Sequence, residues 1–326
     1  MKKLSIPINL TVIIMSLKGR NFLSLQEYTP EDIRLILNKA CEFKSNKKKE
    51  SNDGFPLAGK KLCLIFQKPS TRTLVSFDIA MKELGGYTVI LHSRDIQLGR
   101  GETIYDTGKV LSRYCDIIMA RVYLHDDLIQ LAKGSFPIPV INGLSDLLHP
   151  CQILADLMTI EEYKKELKNL NLVYVGDGNN VANSLLIGCS KMGINITIAC
   201  PKNYEPNDII INTSKQFAKK SNCEIKIMHS AQEAVKGSDI IYTDTWVSMG
   251  QEKEKQFREK IFRPFQVNTQ ILKLAQPDVI VMHCLPAHRG YEITDDVIDG
   301  PRSVVFDQAE NRLYVQKALL YLLLKD

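Results

Sequence analysis

Ser70, Thr71, Arg72 and Thr73 stand where an apolar, β-rich run ending at Phe66 is broken by Pro69 and a helical apolar pattern begins. The first N–H groups of a helix have no intrahelical acceptor and carry partial positive charge, so a strand-to-helix junction attracts an anion. Three hydroxyls add donors there, and the planar guanidinium fork of Arg72 suits phosphate oxygens. A single Ser or Thr cap accounts for one hydroxyl. It does not account for three flanking an arginine, so the quartet reads as a phosphate cradle.

Other strand-end positions carry matching chemistry. Arg121 closes the apolar run in "MARV", where a lone cation is costly unless an anion meets it. "DLLHPCQ" sets His149 and Gln152 one turn apart at a helix start. Taken singly, His149 reads as a capping or core histidine; at the mouth of the same sheet it reads as a site residue. Gln97 lies in the Gly-bounded loop "IQLGRGETIYDT". Further along, "YTDTWVSMG" places Asp244, Ser248 and Met249 around the only tryptophan, Trp246. "VMHCLPAHRG" ends a strand on Cys284 before a constrained Leu285-Pro286 turn. A lone cysteine is usually structural, but one at a strand end before proline is placed to face a ligand.

"VYVGDGNNVANS" resembles a dinucleotide-binding turn. Such a fold wants an acid about 20 residues on, at the end of the next strand, to hold a ribose. Here that strand, "INITIAC", ends in Cys200-Pro201, which counts against NAD and a nucleotide-dependent oxidoreductase.

The elements that must position these groups alternate along the chain. Strands are predicted over 61–66, 87–91, 117–122 and 140–142, with helices over 72–84, 103–113 and 126–133 between them. A leading helix opens at Thr29-Pro30, a cap followed by a first-turn proline. A second series runs through "LNLVYV", "INITIAC", "EIKIM", "DIIYTD" and "DVIVMHC". Such alternation implies an α/β protein with two doubly wound parallel-sheet domains, 1–150 and 151–307. A helix over 150–167 bridges them, and a leucine-rich helix, about 308–326, packs back on the first domain. In open parallel sheets ligands bind beyond the carboxyl ends of the strands, which is where the residues above fall.

Composition narrows the function. The chain has 326 residues, 44% hydrophobic and 24% charged, as in a soluble globular protein. A net charge of +5, without a basic stripe, argues against nucleic acid and suits small anionic substrates. The eight cysteines form no CxxC pair, which points to reduced thiols in the cytoplasm and to no metal site. The N-terminal apolar stretch is interrupted by Pro7 and Asn9 and is too short to span a bilayer; it reads as a short leader, with Met15 as an alternative start, and no membrane association is expected.

Together these stretches resemble the aspartate/ornithine carbamoyltransferase family. "STRT" and "HPCQ" belong to the whole family, whereas "GDGNN", "DTWVSMG" and "HCLPAHRG" mark its ornithine branch; the likeness runs from about Leu17 to the C-terminus. The resemblance implies transfer of a carbamoyl group from carbamoyl phosphate to L-ornithine, giving L-citrulline and phosphate with no cofactor or metal. It further implies that Ser70, Thr71, Arg72, Thr73, Gln97, Arg121, His149, Gln152, Cys284, Leu285 and Arg312 bind carbamoyl phosphate. Asn180, Asp244, Ser248 and Met249 would hold ornithine, and Arg72, His149 and Cys284 would serve catalysis. A homotrimer, or an assembly of trimers, is implied as well. Putrescine or acetylornithine as the acceptor, and a non-catalytic subunit, are the competing readings. Two positions depart from the family pattern, Gln67 for Glu and Leu74 for Arg. They are expected to replace an ion pair, leaving the anion-binding quartet intact.

Overall fold

The computed structural model describes residues 16–46, 54–247 and 252–325. Two all-parallel sheets organise the chain. The first comprises β1 (Lys61–Phe66), β2 (Tyr87–His92), β3 (Ile117–Arg121) and β4 (Val140–Leu144) in the order β2-β1-β3-β4. The second comprises β5 (Asn171–Val175), β6 (Asn195–Ala199), β7 (Ile225–Met228), β8 (Ile240–Thr243) and β9 (Ile280–His283) in the order β7-β6-β5-β8-β9. In each sheet the chain builds outward in one direction, then returns and builds in the other. The reversal falls between β1 and β3 in the first sheet and between β5 and β8 in the second. Crevices open at such switch points. The register aligns the ends that matter: Phe66 pairs with Arg121, Val175 with Thr243, and Thr243 with His283.

The strands form because their runs are apolar on both faces, as helix-covered parallel strands require. Every residue of β3 is buried, as are the last five of β1. The structure keeps the strands expected from sequence, with small shifts: β2 extends to His92, and β4 runs on through Gly143 to Leu144. The bridging helix is Pro150–Lys164, ending short of the predicted 167 because Lys165 turns to a φ of 71°. Its residues from Pro150 to Ile160 are buried without a break. An amphipathic stripe is absent because protein covers it on all sides.

The C-terminal helix Val305–Leu324 starts three residues earlier than expected. It packs against the helices Pro30–Ser45, Thr71–Glu83 and Pro150–Lys164. One apolar cluster includes Leu64 of β1 and Tyr174 of β5, together with Ile153, Leu157 and Leu319 of the two long helices. Lys44, Glu162 and Asn311 add a polar tie among three of these helices, with Lys44 Nζ 2.8 Å from Glu162 and 2.7 Å from Asn311. No described helix is long and apolar enough to cross a membrane.

Candidate active site

The carboxyl ends of both sheets face one cavity of about 650 Å³. Its first-sheet wall is cationic. Ser70 is the N-cap of the helix Thr71–Glu83, its Oγ accepting from the Thr73 N–H at 3.3 Å. Such a cap contributes about 1 kcal/mol. Ser70, Thr71, Arg72, Arg121, His149 and Arg312 all line the cavity, as does Lys68, whose ammonium lies 4.7 Å from the Tyr123 ring centre. Thr73 does not line the cavity with its side chain. Its side chain is fully buried, and its Oγ1 accepts from Ser70 Oγ at 3.0 Å and from Arg312 Nη2 at 2.8 Å. Gln152 is likewise behind the wall, its Oε1 accepting from Arg312 Nη1 at 2.5 Å. These two residues hold Arg312; they do not line the cavity.

Arg72, Arg121 and Arg312 have no carboxylate partner among the described residues, although Arg121 and Arg312 are almost wholly buried. Burial, and then the nearby guanidiniums of Arg312 and Arg72, push Arg121 down to about 10. Burial also lowers Arg312. The same causes, burial first and then the three arginines, hold His149 well below the usual histidine range, so its ring is neutral. His149 is anchored through its backbone N–H to Ser184 Oγ at 2.7 Å, and its Nδ1 has no partner. A wall of desolvated cations and a neutral imidazole is unfavourable alone and well matched to an anion.

The second-sheet wall is acidic and amide-rich. Asp244 follows β8 and is almost wholly buried; its Oδ2 accepts from Asn179 Nδ2 at 2.8 Å and its Oδ1 from the Cys284 thiol at 3.0 Å. Burial and the Asp244 charge raise the Cys284 pKa well above the thiol range, so the group is a thiol and not a thiolate. Asn180 opens the helix Asn180–Met192 and donates to the Ser145 carbonyl at 2.6 Å. Leu285 adopts a φ of 56° before a cis bond to Pro286, and its N–H donates to His283 Nδ1 at 2.8 Å. That leaves His283 Nε2, 3.1 Å from Glu292 Oε1, to carry the ring proton. Asp244, His283 and Cys284 offer three metal-type donor atoms within 4.8 Å of one another, but each is engaged in the internal bonds just described.

Gln97 does not join this geometry. Gln97 sits in the short 3₁₀ turn Gln97–Arg100 after β2, the edge strand of the first sheet, and does not line the cavity. Ser248 and Met249 lie outside the described residues. The Gly178 of "GDGNN" also has a plain packing reason: a Cβ there would collide with the backbone of Glu205 and Pro206. Gly178 is therefore required by the loop that crosses it closely, whereas a Cβ at Gly176 would meet nothing nearer than 3.7 Å, at a φ of 150°. Gln67 binds the Tyr123 N–H at 2.7 Å and Asp127 at 3.1 Å, whereas Leu74 packs on the main apolar cluster.

Sequence reasoning missed Asn179, Glu292 and Arg258. The Arg258 guanidinium pairs with Asp177, its Nε donates to the Trp246 carbonyl at 2.6 Å, and it lies 5.0 Å from the Tyr204 ring centre. It thus ties the turn after β5 to the loop after β8. Trp246 itself is buried and stacks on Phe262 at 6.1 Å. Asn179 was discoverable as the second donor-rich residue before a helix. No local pattern marks Arg258 or Glu292.

A cation-lined strand-end crevice facing an acid-lined one defines an enzyme site for joining an anionic donor to a cationic acceptor. Residues 20–162 match the carbamoyl-P binding domain, and residues 168–323 the Asp/Orn binding domain, of aspartate/ornithine carbamoyltransferases. The chain belongs to the aspartate/ornithine carbamoyltransferase family. It is 56% identical over 315 residues to the ornithine carbamoyltransferase of Pyrococcus abyssi, covering 96% of this chain and 98% of that one. It is equally similar, over the same shares, to the anabolic ornithine carbamoyltransferase of Pyrococcus furiosus. The solved ornithine carbamoyltransferase from Pyrococcus furiosus superposes with a TM-score of 0.92, covering 95% of this chain and 99% of that one. That from Giardia lamblia, 33% identical, gives 0.83 over 93% of this chain and 98% of that one.

Proposed function

We infer that the protein transfers the carbamoyl group of carbamoyl phosphate to the δ-amine of L-ornithine, giving L-citrulline and phosphate. The observation that carries this reading is the division of one cavity into a wall of three guanidiniums without carboxylate partners and a wall built on Asp244. The N-terminus of the helix Thr71–Glu83, with Ser70, Thr71, Arg72, Arg121 and Arg312, receives the phosphate dianion. Thr73 and Gln152 act by holding Arg312. Arg72 and the neutral ring of His149 donate to the carbonyl oxygen, where negative charge grows as the amine attacks. Leu285 and Cys284 flank the carbamoyl group and the δ-amine, and Asn180, Asp244, Ser248 and Met249 hold the amino-acid end of ornithine.

The nucleophile must be the neutral amine, whose free pKa is about 10. Neighbouring cations and desolvation both favour loss of its proton. The new C–N bond forms as the carbon–oxygen bond to phosphate breaks, and the departing phosphate accepts the proton shed by the nitrogen. The carboxylate of Asp244 favours an acceptor with an ammonium over aspartate, which would bring a second carboxylate. The first sheet, within 1–150, takes the donor and the second, within 151–307, takes the acceptor.

Gln97 reaches a carbamoyl phosphate from a neighbouring copy, within a homotrimer or an assembly of trimers acting in the cytoplasm. The strongest test is a citrulline assay on the purified protein with carbamoyl phosphate, without added metal or nucleotide, across L-ornithine, putrescine, acetylornithine and aspartate. Preference for ornithine is the expected result. A preference for any other amine overturns the assignment.

A further inference from the structure

Asp156 lies on the bridging helix one turn beyond Gln152, with its carboxylate fully buried. Its Oδ1 accepts two amide bonds, from Gln152 Nε2 at 2.9 Å and from Gln308 Nε2 at 2.7 Å. The far ends of those two amides point to opposite walls of the active site. Gln152 Oε1 accepts from Arg312 Nη1 at 2.5 Å, and Gln308 Oε1 accepts from the backbone N–H of His283 at 2.9 Å, one residue before Cys284. Gln308 Nε2 also lies 3.1 Å from Tyr242 Oη.

An amide has a donor end and an acceptor end, so fixing one end fixes the other. If either glutamine flipped, its NH₂ would face the Arg312 guanidinium or the His283 N–H, donor against donor, inside a water-poor core. Asp156 Oδ1, set between the two NH₂ groups, holds both amides in the unflipped orientation, and Tyr242 Oη is a further acceptor for Gln308. Because both bonds fall on one oxygen, the constraint holds whether the acid is charged or neutral; the other oxygen, Oδ2, has no partner. Burial pushes the group up to about 7, so both states occur near neutrality.

We propose that Asp156 is a positioning residue for both halves of the active site: it orients Gln152 and Gln308 so that Arg312 is held toward the donor and the end of β9 is held beside the acceptor. The proposal rests on the carbamoyl-transfer reading for its kinetic consequence, but its Arg312 arm does not need turnover. A merely structural filler at this helix junction would affect melting and leave substrate affinities alone.

The test compares Asp156→Asn, which keeps one acceptor oxygen, with Asp156→Leu, which keeps none, and with Gln308→Met, which cuts only the β9 arm. Asp156→Leu is expected to raise KM for carbamoyl phosphate and for ornithine about tenfold each, the scale of a mispaired buried hydrogen bond. Its affinity for inorganic phosphate, titrated calorimetrically, should weaken about as much. Asp156→Asn should melt earlier yet keep both KM values and phosphate affinity within about twofold. Gln308→Met should raise KM for ornithine and not for carbamoyl phosphate. Unchanged phosphate affinity in folded Asp156→Leu, or KM shifts in Asp156→Asn equal to those in Asp156→Leu, overturns the proposal. If Asp156→Leu does not fold, equal shifts of both KM values in Gln308→Met do so. A wild-type protein that binds phosphate but makes no citrulline refutes the functional reading and leaves the Arg312 arm testable by titration.

Discussion

The two walls of the cavity solve opposite problems with opposite degrees of internal pairing. On the first-sheet side, Arg121 and Arg312 are buried beside one another with no carboxylate at ion-pair distance among the described residues, and each leaves its Nε without a partner. On the second-sheet side, each charge is already engaged: Asp244 by Cys284 and Asn179, Asp177 by Arg258, and Glu292 by His283. The first wall is thus arranged as an electrostatic deficit, whereas on the second wall these carboxylates are held in place by internal hydrogen bonds. The contrast teaches where affinity and where geometry are decided. Charge removal should hurt most on the first wall, and changes of shape or register on the second.

Substituting Arg72 with Ala breaks the comparison hardest. Losing a donor aimed at developing charge typically costs ~10²–10³ in kcat, and that is the expected loss here. Arg34, paired with Glu161 away from the cavity, serves as the control: Arg34→Ala should leave steady-state kinetics within about twofold, since surface ion pairs contribute little. Equal, modest effects at both positions would strip Arg72 of its assigned role.

On the acceptor wall, Asp244→Asn should raise KM for ornithine by roughly 10–100-fold with little change for carbamoyl phosphate, the range expected for a buried charge-assisted bond. Cys284→Ser, which keeps a donor toward Asp244, should weaken ornithine binding less and retain turnover. Steady-state assays with each substrate varied in turn decide the matter. Complete loss of turnover in Cys284→Ser with ornithine binding intact would instead assign the sulfur a direct chemical step.

A separate effect is on stability. Asp156 titrates near 7 in the fold because burial raises it from an ordinary 3.8. Between those values the folded state holds a proton that the unfolded chain has released, so this group's contribution is full below about pH 4 and is lost as pH rises through 7. Asp156→Asn removes that dependence. Thermal melts should show the wild type losing ground against the variant between pH 4 and 7 and keeping a constant offset above it. A difference that does not vary with pH would mean that Asp156 is ionised throughout.

Much of this was legible in the chain. The apolar runs of β1 and β3 announce strands buried on both faces, and strand-end rules then place Ser70, Arg72, Arg121, His149, Asp244 and Cys284 in one crevice. The inward turn of the Thr73 side chain was not legible for a physical reason: a hydroxyl in the first turn of a helix can face outward or inward, and only the arrival of Arg312, 239 residues later, makes inward favourable. Arg258 with Asp177, and Asp156 with Gln308, are likewise pairs made by tertiary contact across 81 and 152 residues. No periodicity or local motif records such partners. Gln97 shows the converse limit, since its motif is readable but its place in a single chain does not reach the cavity.

The unbalanced guanidiniums have a practical corollary. Electroneutrality at that wall is left to whatever dissolved anion the medium offers, and a ligand that binds only the folded state raises its stability by RT ln(1 + [L]/Kd). A melting curve recorded in phosphate therefore describes a protein–anion complex, and one recorded in chloride with a bulky organic buffer describes something closer to the bare chain. Ranking this protein's heat resistance against that of a relative is meaningful only when the two are measured against the same anion at the same concentration.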